Sequence, residues 1–101
     1  MIAQTILQQI GGNRFVVMTG SKKLLDMGNG LKMNLARNKT QANRLEITLD
    51  RATDTYTMRF YKQVMTKGFE MKITEIAQHD TIYCDMLEEM FTSVTGLYTR
   101  L

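Results

Sequence analysis

Residues 44–75 alternate apolar and polar side chains almost without a break, and a period of two over that length admits little besides a sheet buried on one face. The stretch predicts three antiparallel strands. Their inward positions are Leu45, Ile47 and Leu49, then Tyr56, Met58 and Phe60, then Phe69, Met71 and Ile73. A four-residue loop, Arg51-Ala52-Thr53-Asp54, fixes the register of the first hairpin, so that Asp50 faces Thr55, Thr48 faces Thr57, Glu46 faces Arg59 and Arg44 faces Tyr61. On the other face the same register pairs Leu49 with Tyr56, Ile47 with Met58 and Leu45 with Phe60. For the second hairpin a turn at Thr66-Lys67, eased by Gly68, sets Arg59 beside Thr74, Tyr61 beside Lys72 and Gln63 beside Glu70.

The flanks supply the rest of the fold. Ile2, Ala3, Ile6, Leu7 and Ile10 share one arc of a helical wheel, which predicts a short amphipathic helix stopped by Gly11-Gly12. Phe15-Val16-Val17-Met18 reads as a strand. The run Thr19-Gly20-Ser21-Lys22-Lys23 resembles a phosphate loop only at first glance, because Phe15 stands where the Walker pattern needs its first glycine, and it reads as a polar bend. Residues 24–27 and 31–35, joined by Gly28-Asn29-Gly30, predict a hairpin whose turn residues tolerate positive φ. Residues 36–43 form an exposed basic loop. Asp80 is placed as the N-cap of a closing helix over residues 81–94, where Ile82, Tyr83, Met86, Leu87, Met90, Phe91 and Val94 cover one half and Asp85, Glu88 and Glu89 the other. Gly96 ends that helix and Leu97 is set for the apolar contact that accompanies a glycine cap. The predicted class is α+β: an antiparallel sheet of about five strands with a short N-terminal helix and a longer C-terminal helix packed on one face.

At 101 residues and 44% hydrophobic content the chain predicts a single domain over residues 1–101, burying about 60 to 70% of its unfolded surface. Residues 1–44 carry seven cations against Asp26, residues 45–75 balance, and residues 76–101 carry Arg100 against four carboxylates. The molecule is therefore electrically polar. Its basic first part suits an anionic partner, nucleic acid above all, while the same layout tolerates head-to-tail self-association, including a homodimer. A single cysteine, Cys84, falls on the predicted helix as a buried small hydrophobe, and no signal-peptide pattern or membrane-length apolar run is present, which predicts a soluble cytoplasmic protein.

The chemistry-bearing residues are few. One histidine, His79, and one cysteine leave too little for a zinc site or for a Cys/His nucleophile pair supported by a third group, and no two carboxylates are singled out by an apolar setting. A non-enzymatic protein without cofactor or metal is expected. The methionines Met58, Met71, Met86 and Met90 fall at core positions by period. One row on the solvated sheet face, Arg44, Tyr61 and Lys72 with Arg59 alongside, has the make-up of a platform that stacks an unpaired base and holds its phosphates. The alternative is a tyrosine covered by cation stems. With Lys22, Lys23, Arg37 and Lys39, these residues make the candidate nucleic-acid-binding set: Lys22, Lys23, Arg37, Lys39, Arg44, Arg59, Tyr61 and Lys72.

The segments GGNRFVVMTGSK, RLEITL and FTSVTGLYTRL resemble a family of small proteins carried by bacteriophages and integrated mobile elements. The likeness spans most of the chain, is specific at its two ends and brings no functional residue with it. It implies an accessory protein in the cytoplasm of a bacterial host. Such proteins are commonly nucleic-acid binders or inhibitors of host defence nucleases of the anti-CRISPR kind, with a self-assembling structural component as a third reading.

Overall fold

The structure is a computed structural model and describes residues 2–36 and 40–97. Helices α1 (Ile2–Ile10) and α2 (Gly12–Thr19) precede five strands, β1 (Lys22–Asp26), β2 (Gly30–Asn34), β3 (Arg44–Asp50), β4 (Thr55–Met65) and β5 (Met71–Ile82). A short 3-10 turn, Cys84–Met86, leads into α3 (Leu87–Thr95). The strands form one antiparallel meander in the order β1-β2-β3-β4-β5, an α+β architecture as expected.

The first long hairpin has the predicted register at all seven pairs, from Arg44 opposite Tyr61 to Asp50 opposite Thr55. Its turn closes as the sequence suggests. Asp50 Oδ1 accepts the Ala52 N–H at 3.0 Å, and Asp54 takes the positive φ of 55° that the return requires. The β1–β2 hairpin also forms, with Asp26 Oδ1 accepting the Gly28 N–H at 2.7 Å and Gly28 at φ 85°. Where β2 meets β3 the backbones come close: a Cβ on Gly30 would lie 2.1 Å from the Ile47 carbonyl oxygen.

The segment expected as a strand at 15–18 is instead helix α2. Gly11 and Gly12, at φ 132° and 62°, turn the chain and restart a helix at once. Helical spacing then buries Phe15 and Thr19 and leaves Val17 79% exposed, so tertiary burial overrides the strand preference of Phe-Val-Val. Gly20, left-handed at φ 70°, caps the helix by donating its N–H to the Val16 carbonyl at 3.0 Å.

All three helices cover one face of the sheet. Ile6 and Ile10 of α1, Phe15 of α2 and Leu87 and Phe91 of α3 are fully buried against Met33, Leu45, Ile47, Met58 and Phe60. The centre is aromatic. Phe15 meets Phe91 edge-on at 4.9 Å between ring centroids, and Phe60 lies 6.4 Å from Phe91. The Tyr56 hydroxyl donates to Gln9 Oε1 at 2.7 Å and so ties α1 to the sheet.

The second hairpin departs from expectation. Tyr61 pairs with Glu75, Gln63 with Ile73 and Met65 with Met71, and the turn occupies residues 66–70, closed by the Thr66 N–H donating to the Glu70 carbonyl at 2.8 Å. The slip is three residues, an odd number, and it transfers Met71 and Ile73 to the other face. Phe69, expected inward, sits in the turn at φ 63° and is 87% exposed. Because β3 begins at Arg44, the residues of β4 and β5 beyond Tyr61 project as a two-stranded arm. Asn43 braces its root, its Nδ2 donating to the Gln63 carbonyl at 3.0 Å and its Oδ1 accepting the Gln63 N–H at 2.8 Å.

The closing helix is also shorter than predicted. β5 runs through Asp80 to Ile82, with Thr81 at φ 57°, so Asp80 is a strand residue and not an N-cap. α3 ends at Gly96, φ 76°, as expected, and Leu97 packs against the core. Cys84 is exposed on the 3-10 turn, not buried, and of the four methionines expected in the core Met58 is buried, Met90 packs at the core margin, and Met71 and Met86 are exposed.

Candidate functional site

The face of the sheet opposite the helices is built from two cross-strand rows that follow directly from the registers. One runs Lys22, Asn34, Arg44, Tyr61, Glu75, and the other Leu25, Lys32, Glu46, Arg59, Gln78. Glu75 stands where Lys72 was expected. Lys72 pairs instead with Val64, on the arm and on the opposite face, and takes no part in the row.

Tyr61 is not an open stacking platform. It is 1% exposed, its hydroxyl donates to Glu46 Oε2 at 2.6 Å, and the Arg59 guanidinium lies over its ring at 4.3 Å from the centroid. Lys32 Nζ also lies over the ring, 6.0 Å from its centroid. Burial first, and then the hydrogen bond to the Glu46 carboxylate, pushes the phenol up to about 12. Arg59 is itself engaged: Nε donates to Glu75 Oε1 at 2.8 Å and to Oε2 at 3.0 Å, Nη2 also contacts Glu75, and Nη1 reaches Glu46 Oε2 at 3.4 Å. The hydrogen bond to Arg59 holds the Glu75 carboxyl below its ordinary value. Glu46 and Glu75, the carboxylates within these two rows, are thus occupied by Arg59 and Tyr61.

Beside this sealed cluster the sheet opens into a groove of about 390 Å³ lined by Lys23, Leu24, Leu25, Lys32, Asn34 and Arg44. Three of the six lining residues are cations and none is acidic. The groove exists because β1 is irregular. Its pairing with β2 jumps from Lys22–Asn34 to Leu25–Lys32, and Lys23 takes φ 52°, which swings the edge strand away from a flat continuation of the sheet. Arg44 is half-buried, with Nη1 donating to the Asn43 carbonyl at 2.9 Å. Such a site offers point-charge and forked donors to an anion and two leucines to whatever the anion is attached to.

Of the predicted set, Lys23 and Arg44 line the groove, Lys22 is exposed on the same edge strand, and Arg59 and Tyr61 form its sealed flank. Arg37 and Lys39 lie outside the described residues. Lys32 was missed, although pairing β2 with β3 by alternation would have placed it opposite Glu46 and on this face. Among the described residues no group of three or more His, Cys, Asp or Glu side chains could hold a metal ion, and no helix is long and apolar enough to cross a membrane. No family model matches the chain, and neither curated proteins nor solved structures yield a match.

Proposed function

We propose that this chain is a non-enzymatic accessory protein of a phage or mobile element that binds nucleic acid through the groove between β1 and β3. The observation that carries the reading is the convergence of Lys23, Lys32 and Arg44 on a concave site with no acidic lining residue, while Glu46 and Glu75 are taken up by Arg59 and Tyr61. With Tyr61 covered, the protein meets phosphate rather than an unstacked base. Recognition is then directed at the backbone and weakly selective for sequence.

The test is a salt titration of binding to fluorescent duplex and single-stranded oligonucleotides. Affinity for duplex falls steeply as salt rises, and Lys23→Ala with Lys32→Ala lowers the slope of log K against log salt by about 2, near 0.9 for each phosphate that is no longer neutralised. No binding of any oligonucleotide at low salt, or an unchanged slope in the double variant, rejects the reading. Retention of one host nuclease from nuclease-treated lysate by a protein that binds no oligonucleotide favours an inhibitor of host defence instead.

A further inference from the structure

The arm formed by β4 and β5 ends in a concentration of exposed apolar side chains that the fold does not use: Val64, Met65, Phe69, Met71 and Ile73 are 37%, 58%, 87%, 52% and 48% exposed. Met65, Met71 and Ile73 share one face of the arm, Val64 lies on the other and Phe69 stands in the turn, and exposed apolar side chains gathered at one tip mark an interaction surface. Its charge is positive, with Lys62, Lys67 and Lys72 against Glu70. The far end of the same chain has the complementary character. Around the 3-10 turn and α3 the carboxylates Asp80, Asp85 and Glu89 are exposed, and no Lys or Arg lies within residues 76–97. There Met86, Glu89, Met90 and Ser93 line a hollow of about 130 Å³.

We propose that the arm of one copy of this chain docks on the α3 surface of a second copy, with the Phe69 ring seated in the hollow between Met86 and Met90. Two independent complementarities identify the occupant. The first is shape and polarity: a cavity of about 150 Å³ accepts a benzene ring, and methionine side chains adapt to aromatic edges with favourable sulfur contacts. The second is charge, since Lys67, two residues before Phe69, arrives at a hollow lined by Glu89, with Asp85 next to Met86 in the chain. Within one chain the two surfaces do not meet, because Phe69 remains 87% exposed and Met86 38% exposed. The contact is reciprocal: each of two copies receives the other's arm, so the pair is isologous and closes about a two-fold axis. It is separate from the basic groove and does not depend on nucleic acid binding.

Sedimentation velocity over a range of concentrations, on protein freed of nucleic acid, tests the contact with two single variants. Phe69→Asn removes the ring and suits the positive φ of the turn, and Glu89→Arg reverses the charge of an exposed residue lining the hollow, so circular dichroism should show both folded. The wild type is expected to gain mass above one copy as concentration rises and to lose it in high salt. Each variant alone stays at one copy. An equimolar mixture of the two regains association, weaker than the wild type, through the one contact in which the intact arm of the Glu89→Arg copy meets the intact hollow of the Phe69→Asn copy. A wild type that stays at one copy, a single variant that associates like the wild type, or a mixture that remains at one copy would each overturn the proposal.

Discussion

Replacing Tyr61 with phenylalanine removes one oxygen from a site that is 1% exposed, and the consequence can be worked from its surroundings. The hydroxyl donates to Glu46 Oε2 at 2.6 Å, a hydrogen bond to a charged acceptor, and such bonds contribute roughly 1.5–3 kcal/mol net. Glu46 keeps Arg59 at 3.4 Å and a side chain 19% exposed, so water recovers part of the loss. The lower end of the range, about 1.5 kcal/mol, is therefore expected at pH 7. With a urea m-value of roughly 1.5 kcal/mol/M for a chain of this size, the unfolding midpoint falls by about 1 M. The alkaline side supplies a second signature. The phenol is raised to about 12 in the folded protein, so the folded state holds its proton where the unfolded chain, near 10, has lost it. That contribution is fully present below pH 10 and disappears as pH rises through 12, which takes roughly 1 kcal/mol from the wild type by pH 11 and nothing from Tyr61→Phe. The gap between the two proteins should nearly close at pH 11, while oligonucleotide affinity at pH 7 is the same for both. A gap below about 0.5 kcal/mol at pH 7, or one that stays constant to pH 11, refutes the sealed-tyrosine geometry.

Three further substitutions test separate parts of the fold. Gly30→Ala forces a methyl group to within 2.1 Å of the Ile47 carbonyl oxygen and must part β2 from β3; a loss of about 2–3 kcal/mol, or a melting temperature lower by about 10 °C or more, is expected in thermal unfolding. Phe91→Ala empties the space between Phe15 and Phe60 and should cost about 3–5 kcal/mol in urea denaturation. Glu75→Gln weakens a pair with Arg59 on an exposed surface. Because the Glu75 carboxyl sits below its ordinary value in the folded state, its contribution is present at neutral pH and is lost as pH falls through that lowered value, so the wild type should show an acid-side slope in stability that the variant lacks.

The uneven legibility of the sequence has local causes. The β3–β4 hairpin could be read pair by pair because Asp50 and Asp54 mark both ends of its turn and Glu46 faces Arg59 across it. The β4–β5 hairpin could not. Gly68 suggests where the backbone bends, but the left-handed residue is Phe69, whose side chain gives no such signal, and the irregular pairing between Phe60 and Tyr61 adds a residue that alternation does not announce. In α2 the strand preference of Phe-Val-Val lost to the burial of Phe15 beside Phe91, a contact between segments far apart in the chain. At the site, the row of Arg44 and Tyr61 was readable, and so was the alternative of a ring covered by cation stems, which Arg59 and Lys32 supply, whereas the Glu75 that holds Arg59 stands opposite Tyr61 in place of Lys72 only through the register slip. The groove itself arises from the irregular pairing of β1, which composition does not encode.

Phe69 is the residue whose local chemistry agrees least with its position. A non-glycine side chain in the left-handed region costs roughly 1 kcal/mol, and an aromatic lacks the short polar group with which asparagine offsets that cost. Burial supplies no compensation, since the ring is 87% exposed. Phe69→Asn should therefore leave the isolated chain at least as stable as the wild type, by about 0 to 1 kcal/mol, in dilute urea titrations. Loss of more than about 1 kcal/mol there would show that the ring packs within its own chain and that the arm is not free to reach a second copy. Equal or greater stability joined to loss of self-association assigns the ring to the contact between copies, because the fold alone gives it nothing to hold.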